Sequence, residues 1–127
     1  MAYQFKKHYT RDEARALLDQ IRQWLQHMSK LRKRLQEFDD RLATPLAGGA
    51  DCGGDNVNRS VETIADLKDI LLEFASREIQ IKDFDRGLID FPAIIGGKEV
   101  FLCWEQEEED VEYWHDLVSG YSGRERL

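Results

Sequence analysis

Apolar residues recur every seven positions along the first third of the chain, and a second apolar series follows three positions later in each repeat. The first series is Ala14, Ile21, Met28, Leu35 and Leu42, and the second is Leu17, Trp24, Leu31 and Phe38. This spacing predicts a long amphipathic helix with a coiled-coil-like seam. Thr10 and Glu13 match the capping-box pattern with which helices begin, so we expect the helix to span 10–43.

A helix of this length extends roughly 48 Å at 1.5 Å per residue, which is more than a domain of this size covers alone. We therefore expect a partner helix in the same chain and, along part of the seam, a second subunit. The candidate oligomer seam consists of Ile21, Trp24, Met28, Leu31, Leu35 and Phe38. A basic cluster at 30–34 (KLRKR) could meet phosphates, but a solvated flank of the seam is the simpler interpretation.

A glycine-rich tract separates this helix from the next apolar pattern. Thr44 and Pro45 end the first helix, and 44–57 is predicted to be a linker. A phosphate-binding loop is the functional alternative, but no Gly-Lys-Ser/Thr sequence follows. Apolar residues at helical spacing then predict a second helix over 58–78, capped by Asn58 or Ser60. Two helices joined by a polar linker predict an antiparallel hairpin.

Two glycines mark the centre of the predicted sheet. Gly96 and Gly97 separate two β-forming runs and supply the positive φ angles of a tight two-residue turn. That turn sets Ile95 opposite Lys98, and hence Asp90 opposite Cys103. One face, with Phe91 and Trp104 among its residues, should pack on the helices. The other face should turn outward and carry Asp90, Cys103 and Glu105. A short strand before it completes a three-stranded meander over 79–105.

A run of acids at 107–110 precedes an apolar spacing that fits one more helix over 107–118. The predicted fold is therefore α+β. A long antiparallel helical hairpin packs on a small three-stranded antiparallel sheet, with a short C-terminal helix, in a single domain over 1–127.

Composition and charge narrow the function class. The chain has 127 residues and a net charge of -7, and no stretch resembles a membrane span or a signal peptide, so we expect a cytoplasmic protein that does not contact membranes. The two cysteines lack metal-finger spacing and are expected to be reduced thiols. Residues 1–43 contain ten Lys and Arg against six Asp and Glu, whereas the rest contains eight against nineteen. This asymmetry favours attraction within or between chains, and the acidic total makes nucleic-acid binding unlikely.

The polar face of the sheet supplies the main candidate site. It would unite Asp83, Asp85, Asp90, Cys103, Glu105 and His115, a set that could hold a divalent cation or perform acid–base chemistry. The structural alternative is that the first two acids shape a turn while Cys103 and His115 are satisfied core residues. Glu112 and His115 form an E-x-x-H pattern on the predicted third helix, as in dimetal proteins, but those sites need two such motifs. Cys103 with His115 as its base would be a nucleophile, although a cysteine within a strand is usually structural.

Several segments resemble an uncharacterised family of small bacterial proteins, domain of unknown function 2203. They are Lys82-Asp83, the GLIDFPA block at 87–93, Leu102-Cys-Trp104, Glu108, Trp114-His-Asp116 and Gly123-Arg124. The resemblance implies no activity, but it implies that a shared site would lie at Asp83, Asp90, Cys103, Glu108, His115 and Arg124. One departure is Glu107, where the family pattern has glycine. If that glycine permits close approach of a ligand, Glu107 disfavours an anion there and leaves a cation possible.

Two hypotheses about function follow. The first is a non-catalytic, self-associating interaction protein that uses the helical seam and forms a homo-oligomer. The second is a protein that binds a divalent metal or another small ligand, and could be hydrolytic, through Asp83, Asp90, Cys103 and His115. The sequence identifies no substrate or reaction.

Overall fold

A computed structural model describes residues 3–43 and 54–127. Two helices come first, α1 (Arg11–Ala43) and α2 (Gly54–Ser76). Five strands follow: β1 (Gln80–Asp83), β2 (Leu88–Ile95), β3 (Lys98–Glu105), β4 (Tyr113–Asp116) and β5 (Glu125–Arg126), with a 3-10 turn at Tyr121–Gly123 before the last. The strands form one sheet in the order β1-β2-β3-β4-β5, and each neighbouring pair is antiparallel. The α+β class and the helical hairpin are confirmed.

The start of α1 has the predicted capping box. The backbone N–H of Glu13 donates to Thr10 Oγ1 at 3.1 Å, and the backbone N–H of Thr10 donates to Glu13 Oε1 at 3.0 Å. Helix α2 already begins at Gly54, so Asn58 and Ser60 lie inside it and do not cap it. The remainder of the predicted linker, with the alternative of a phosphate-binding loop, lies outside the described residues.

The chain divides into two compact units. The sheet unit comprises residues up to Gln23 together with Glu73–Leu127, and the helical unit comprises the described part of Trp24–Leu72. In the helical unit, Leu31 and Phe38 of α1 and Thr63 and Ile70 of α2 are buried. In the described chain, neither helix contains an apolar stretch long enough to cross a lipid bilayer.

The central hairpin has the predicted register. Gly96 and Gly97 have φ angles of 59° and 77°, which only glycine adopts at little cost. Ile95 pairs with Lys98, Asp90 with Cys103, and Leu88 with Glu105. Strand β1 pairs with β2 as expected, with an irregularity after Ile81.

The prediction that the second face of the hairpin, with Asp90 and Cys103, turns outward to solvent is wrong. That face is buried as well as the first. Asp90 and Cys103 are 1% and 0% exposed, and Phe101 between them and the turn is buried as well. The N-terminal segment, residues 3–9, crosses this side: the Phe5 ring lies 5.4 Å from the Phe101 ring. The segment is tied down by Glu99, whose carboxylate accepts the backbone N–H groups of Gln4 and Phe5 at 2.7 and 3.0 Å.

Other contacts hold the same segment at both ends. The Glu99 carboxylate also lies 2.7 Å from His8 Nε2, and these hydrogen bonds keep the pKa of Glu99 below its usual value against the opposing effect of burial. The backbone N–H of Tyr9 donates to the carbonyl of Pro92 at 2.7 Å. The segment therefore joins the first residues of α1 to strands late in the chain.

The predicted third helix and the three-strand count are also wrong. Residues 107–112 form turns and irregular backbone, and 113–116 form β4, which pairs with β3 so that His115 lies opposite Phe101. The acids at 107–110 do not form the first turn of a helix; two of them make specific hydrogen bonds. Glu108 Oε1 accepts the N–H of Glu105, and Asp110 accepts Arg15 Nε at 2.8 Å. Pairing with an open sheet edge and these tertiary bonds outweigh a weak local helix preference.

Gly87 and Gly96 offer a matched test of packing behind a turn. Both have left-handed φ angles, 64° and 59°, so alanine meets a similar backbone penalty of about 1–2 kcal/mol at each. A Cβ at Gly87 would lie 2.5 Å from Gln106 Cβ, whereas one at Gly96 meets nothing within 4 Å. We expect Gly87→Ala to lower the free energy of unfolding by about 1–3 kcal/mol more than Gly96→Ala. Urea unfolding measures both, and equal losses would contradict the close packing of Gly87 on Gln106.

Candidate functional site

Three chemically active side chains meet on adjacent strands of the sheet unit. Asp90 of β2 lies directly opposite Cys103 of β3, and His115 of β4 lies opposite Phe101, two residues along the same face. One donor atom from each of the three lies within 4.8 Å of the others. All three side chains are buried, with His115 2% exposed. The register of three neighbouring strands therefore builds this Asp90–Cys103–His115 cluster.

The ring of His115 is oriented by the backbone. Its Nδ1 lies 2.6 Å from the carbonyl oxygen of Asp116, which can only accept, so Nδ1 carries a proton. Its Nε2 lies 2.9 Å from Asp90 Oδ2. In a neutral ring this places the Nε2 lone pair against a carboxylate oxygen. A proton or another cation must lie between Nε2 and Asp90 to make the contact favourable.

The second carboxylate oxygen of Asp90 is unusual. Asp90 Oδ1 is buried and, among the described residues, has no partner within hydrogen-bond geometry. Burial raises the pKa of Asp90. The neighbouring His115 and Lys82, together with a weak hydrogen bond from the Cys103 thiol to the carboxylate, only partly oppose that rise. An unpartnered buried carboxylate oxygen costs stability, so its presence calls for a ligand or a functional reason.

Cys103 is a buried thiol with a cationic neighbour. Burial, followed by the nearby Asp90 carboxylate, raises its pKa to about 12, and the Arg124 guanidinium opposes this rise. Arg124 is held in place by Glu108 at 3.0 Å and lies over the rings of Tyr113 and Tyr121, 3.9 and 4.2 Å from their centres. A pKa this high makes Cys103 a poor free nucleophile, while a bound metal ion would deprotonate it.

The remaining candidate residues lie elsewhere. Glu105 pairs with Arg86 at 3.0 Å, Glu108 with Arg124, and Glu112 with Arg126 at 3.8 Å. Among the residues that the structure describes, the cluster does not include Asp83, whose Oδ1 accepts the N–H of Arg86 in a turn that also contains Asp85. Glu112 and His115 do not share a helix face. Their odd spacing in extended chain directs them to opposite sides.

A family model described as Uncharacterized conserved protein (DUF2203) matches residues 7–127, nearly the whole chain. The chain belongs to the DUF2203 family. The resemblance noted in the sequence is thus confirmed. Neither the curated proteins nor the solved structures contain a match. DUF2203 membership assigns no reaction, so the chemistry of this site must be argued from its own atoms.

A small cavity of the DUF2203 chain opens beside the cluster. Its volume is about 160 Å³, and its walls include Asp90 and His115. The other lining residues are Lys82, Leu88, Phe101, Leu117, Val118, Gly120 and Tyr121. Sequence reasoning did not identify Lys82, Phe101 or Tyr121 as site residues. The sequence does contain a signal for Lys82. Side chains alternate between the two faces along β1, and this alternation places Lys82 on the same side of the sheet as Asp90.

The seam predicted on α1 is largely covered within this DUF2203 chain. Ile21, Met28, Leu31 and Phe38 are buried, and Trp24 and Leu35 are half-buried. The basic residues of 30–34 are exposed, as expected of a solvated flank. The exposed apolar side chains of the helical unit lie instead on α2, where Val57, Val61, Ile64, Leu71 and Leu72 are 44–60% exposed.

The cluster predicts an unusual mutational signature. Asp90→Asn removes a desolvated carboxylate while its amide N–H can still donate to His115 Nε2. We expect the free energy of unfolding to stay unchanged or to rise by up to about 2 kcal/mol, as when a functional residue costs stability. Glu108→Gln is the control: it weakens the pairing with Arg124 and should destabilise the fold. Chemical denaturation near pH 7 compares the two. A large loss of stability in Asp90→Asn would mean that Asp90 has a structural role.

Proposed function

We propose that this protein binds one transition-metal ion through Asp90, Cys103 and His115. The observation that carries the proposal is the convergence of their donor atoms within 4.8 Å, with the His115 ring oriented by the Asp116 carbonyl. Metal-binding histidines commonly donate their other ring N–H to a carbonyl or carboxylate, which directs the free nitrogen at the ion. The unpartnered Asp90 Oδ1 supports the same conclusion, because a cation would satisfy it.

The donor set indicates which ions fit. A thiolate and an imidazole favour zinc and similar borderline ions, whereas magnesium and calcium prefer oxygen ligands. In a tetrahedral zinc site, the ligand atoms lie about 3.3–3.7 Å apart, given metal–ligand bonds of about 2.0–2.3 Å. On binding, the 2.9 Å between His115 Nε2 and Asp90 Oδ2 would lengthen by a few tenths of an ångström, and the longest separation in the cluster, at most 4.8 Å, would shorten by up to about 1 Å.

Three protein ligands leave a fourth coordination position, which is the arrangement of catalytic zinc sites. In this protein that position would face the cavity lined by Lys82 and Tyr121. Hydrolysis is the reaction class that such a site serves, and we include it in the proposal. A reducing cytoplasm, the location that the sequence predicts, would keep Cys103 available as a ligand.

Metal titration of tag-free protein tests the proposal. We expect one Zn²⁺ per chain by calorimetry and elemental analysis, with no binding of Mg²⁺ at the same concentration. Because the Cys103 thiol must lose its proton, binding should release at least one proton per ion, seen as a dependence of the heat on buffer. Asp90→Asn and Cys103→Ala should weaken binding at least about 100-fold, because losing a side chain that touches the ion costs more than the 10–100-fold loss seen for residues that only hydrogen-bond to such a ligand.

Cys52→Ser is the matched control, because it removes the other cysteine of the chain. It should bind Zn²⁺ with unchanged stoichiometry and affinity. Equal Zn²⁺ binding by wild type and folded Cys103→Ala would eliminate this site, and circular dichroism confirms that the variant is folded.

A second proposal is self-association, and the exposed apolar stripe of α2 favours it. The stripe comprises Val57, Val61, Ile64, Leu71 and Leu72, whose spacing places them along one side of the helix. An identical helix is a complementary occupant: antiparallel pairing centred beside Ile64 sets Val57 of one copy against Leu72 of the other. Covering this stripe removes apolar surface from water, which favours association. The interface would then lie on α2 and not on the α1 seam.

Light scattering after size exclusion tests self-association. We expect wild type to be a dimer at tens of micromolar, and Ile64→Glu to be a monomer because the interface cannot bury a carboxylate. Ile94→Glu makes the same change at an exposed isoleucine of the hairpin turn region and should remain a dimer. A wild-type monomer at 100 µM would exclude the α2 interface.

A further inference from the structure

The cavity beside the Asp90–Cys103–His115 cluster has two chemically different ends. Asp90, His115 and Lys82 form the polar end. The remaining wall is apolar and is made by Leu88, Phe101, Leu117, Val118 and Tyr121. A cavity of about 160 Å³ is many times what one water molecule needs, so it has room for an organic ligand. A ligand that fits both ends is amphipathic.

Lys82 gives the cavity its charge preference. Its ammonium lies 4.9 Å from the centre of the Phe101 ring. Among the described residues it forms no ion pair with a carboxylate, and it is exposed at the cavity wall. A lysine ammonium on a flexible stem can turn toward a bound anion and donate up to three hydrogen bonds.

The charges around the cavity indicate a monoanion. When a divalent ion is bound, the Asp90 carboxylate and the Cys103 thiolate neutralise it, and Lys82 leaves one positive charge. We propose that the cavity binds a small aliphatic monocarboxylate, with its carboxylate between Lys82 and the fourth metal position and its alkyl group against the apolar wall. This inference rests on the proposed metal site. Glu107 does not oppose it, because that residue is exposed and is not part of the cavity wall.

Phosphate is the alternative anion, and the cavity fits it less well. A phosphate has oxygens on every side and needs several donors. The apolar wall would leave some of those oxygens without hydrogen bonds, which costs free energy. Propionate is a small aliphatic monocarboxylate, and propionamide is its neutral isostere.

Calorimetric titration of the zinc-loaded protein with propionate, propionamide and inorganic phosphate tests the inference. We expect propionate to bind at least about tenfold more tightly than propionamide, since a charge-assisted hydrogen bond contributes that much. It should also bind more tightly than phosphate, some of whose oxygens the apolar wall would leave without hydrogen bonds. Cobalt-loaded protein provides a second readout, because a carboxylate at the metal changes the visible spectrum.

Lys82→Gln isolates the role of the ammonium. It should weaken propionate binding about tenfold or more while zinc affinity and propionamide binding stay unchanged. Lys30→Gln changes an exposed lysine on α1 and should leave all affinities unchanged. Tighter binding of phosphate than of propionate, or equal propionate binding by wild type and Lys82→Gln, would overturn the inference and leave the metal site intact. Failure of wild type to bind zinc in the first titration would overturn both.

Discussion

The pairing of β2 with β3 is the constraint on which the candidate site depends. Side chains alternate along a strand, so a shift of one residue would carry Asp90 to the helix side and leave Cys103 on the other. Two glycines in left-handed conformations prevent that shift because they permit only a tight reversal between Ile95 and Lys98. Strand β4 then adds His115 at a position set by its own pairing with Phe101. The convergence of Asp90, Cys103 and His115 is thus a consequence of the backbone pairing of three strands.

Electrostatics distinguishes the Asp90–Cys103–His115 cluster from the acids around it. A carboxylate, a thiol and an imidazole are buried together, and desolvation raises the pKa values of Asp90 and Cys103. A fold selected for stability alone would fill these positions with apolar residues of similar size. The surrounding acids differ: Glu105, Glu108 and Glu112 each have an arginine partner. The carboxylate that lacks a hydrogen-bond partner on one oxygen is therefore Asp90, inside the sheet unit, and the acids paired with arginine lie around it.

Local signals in the sequence predicted local structure well. The capping box of Thr10 and Glu13, the glycine turn and the strand pairing across it all depend on residues close in the chain, and they are as expected. The contacts that close the sheet unit are remote. Asp90 is enclosed by residues far along the chain, among them His115 and Tyr121, so no local pattern could show that it is buried. The N-terminal segment adds Phe5 to the same face of the hairpin, at Phe101. For the same reason, the local pattern at 113–116 predicts a helix, whereas pairing with the edge of β3 makes these residues a strand.

The N-terminal segment has a further consequence for how the molecule forms. Within it, His8 contacts Glu99 and Tyr9 contacts Pro92, and in the first turns of α1 just after it, Arg15 contacts Asp110. These contacts join residues separated by 83 to 95 positions. Such long-range closures are slow, because chain entropy opposes them until the distant partners exist and are ordered. During synthesis, the amphipathic start of α1 leaves the ribosome long before the strands it rests on. The N-terminal segment therefore lacks its partners on the hairpin until Pro92 and Glu99 have been synthesised, and it cannot dock there before then.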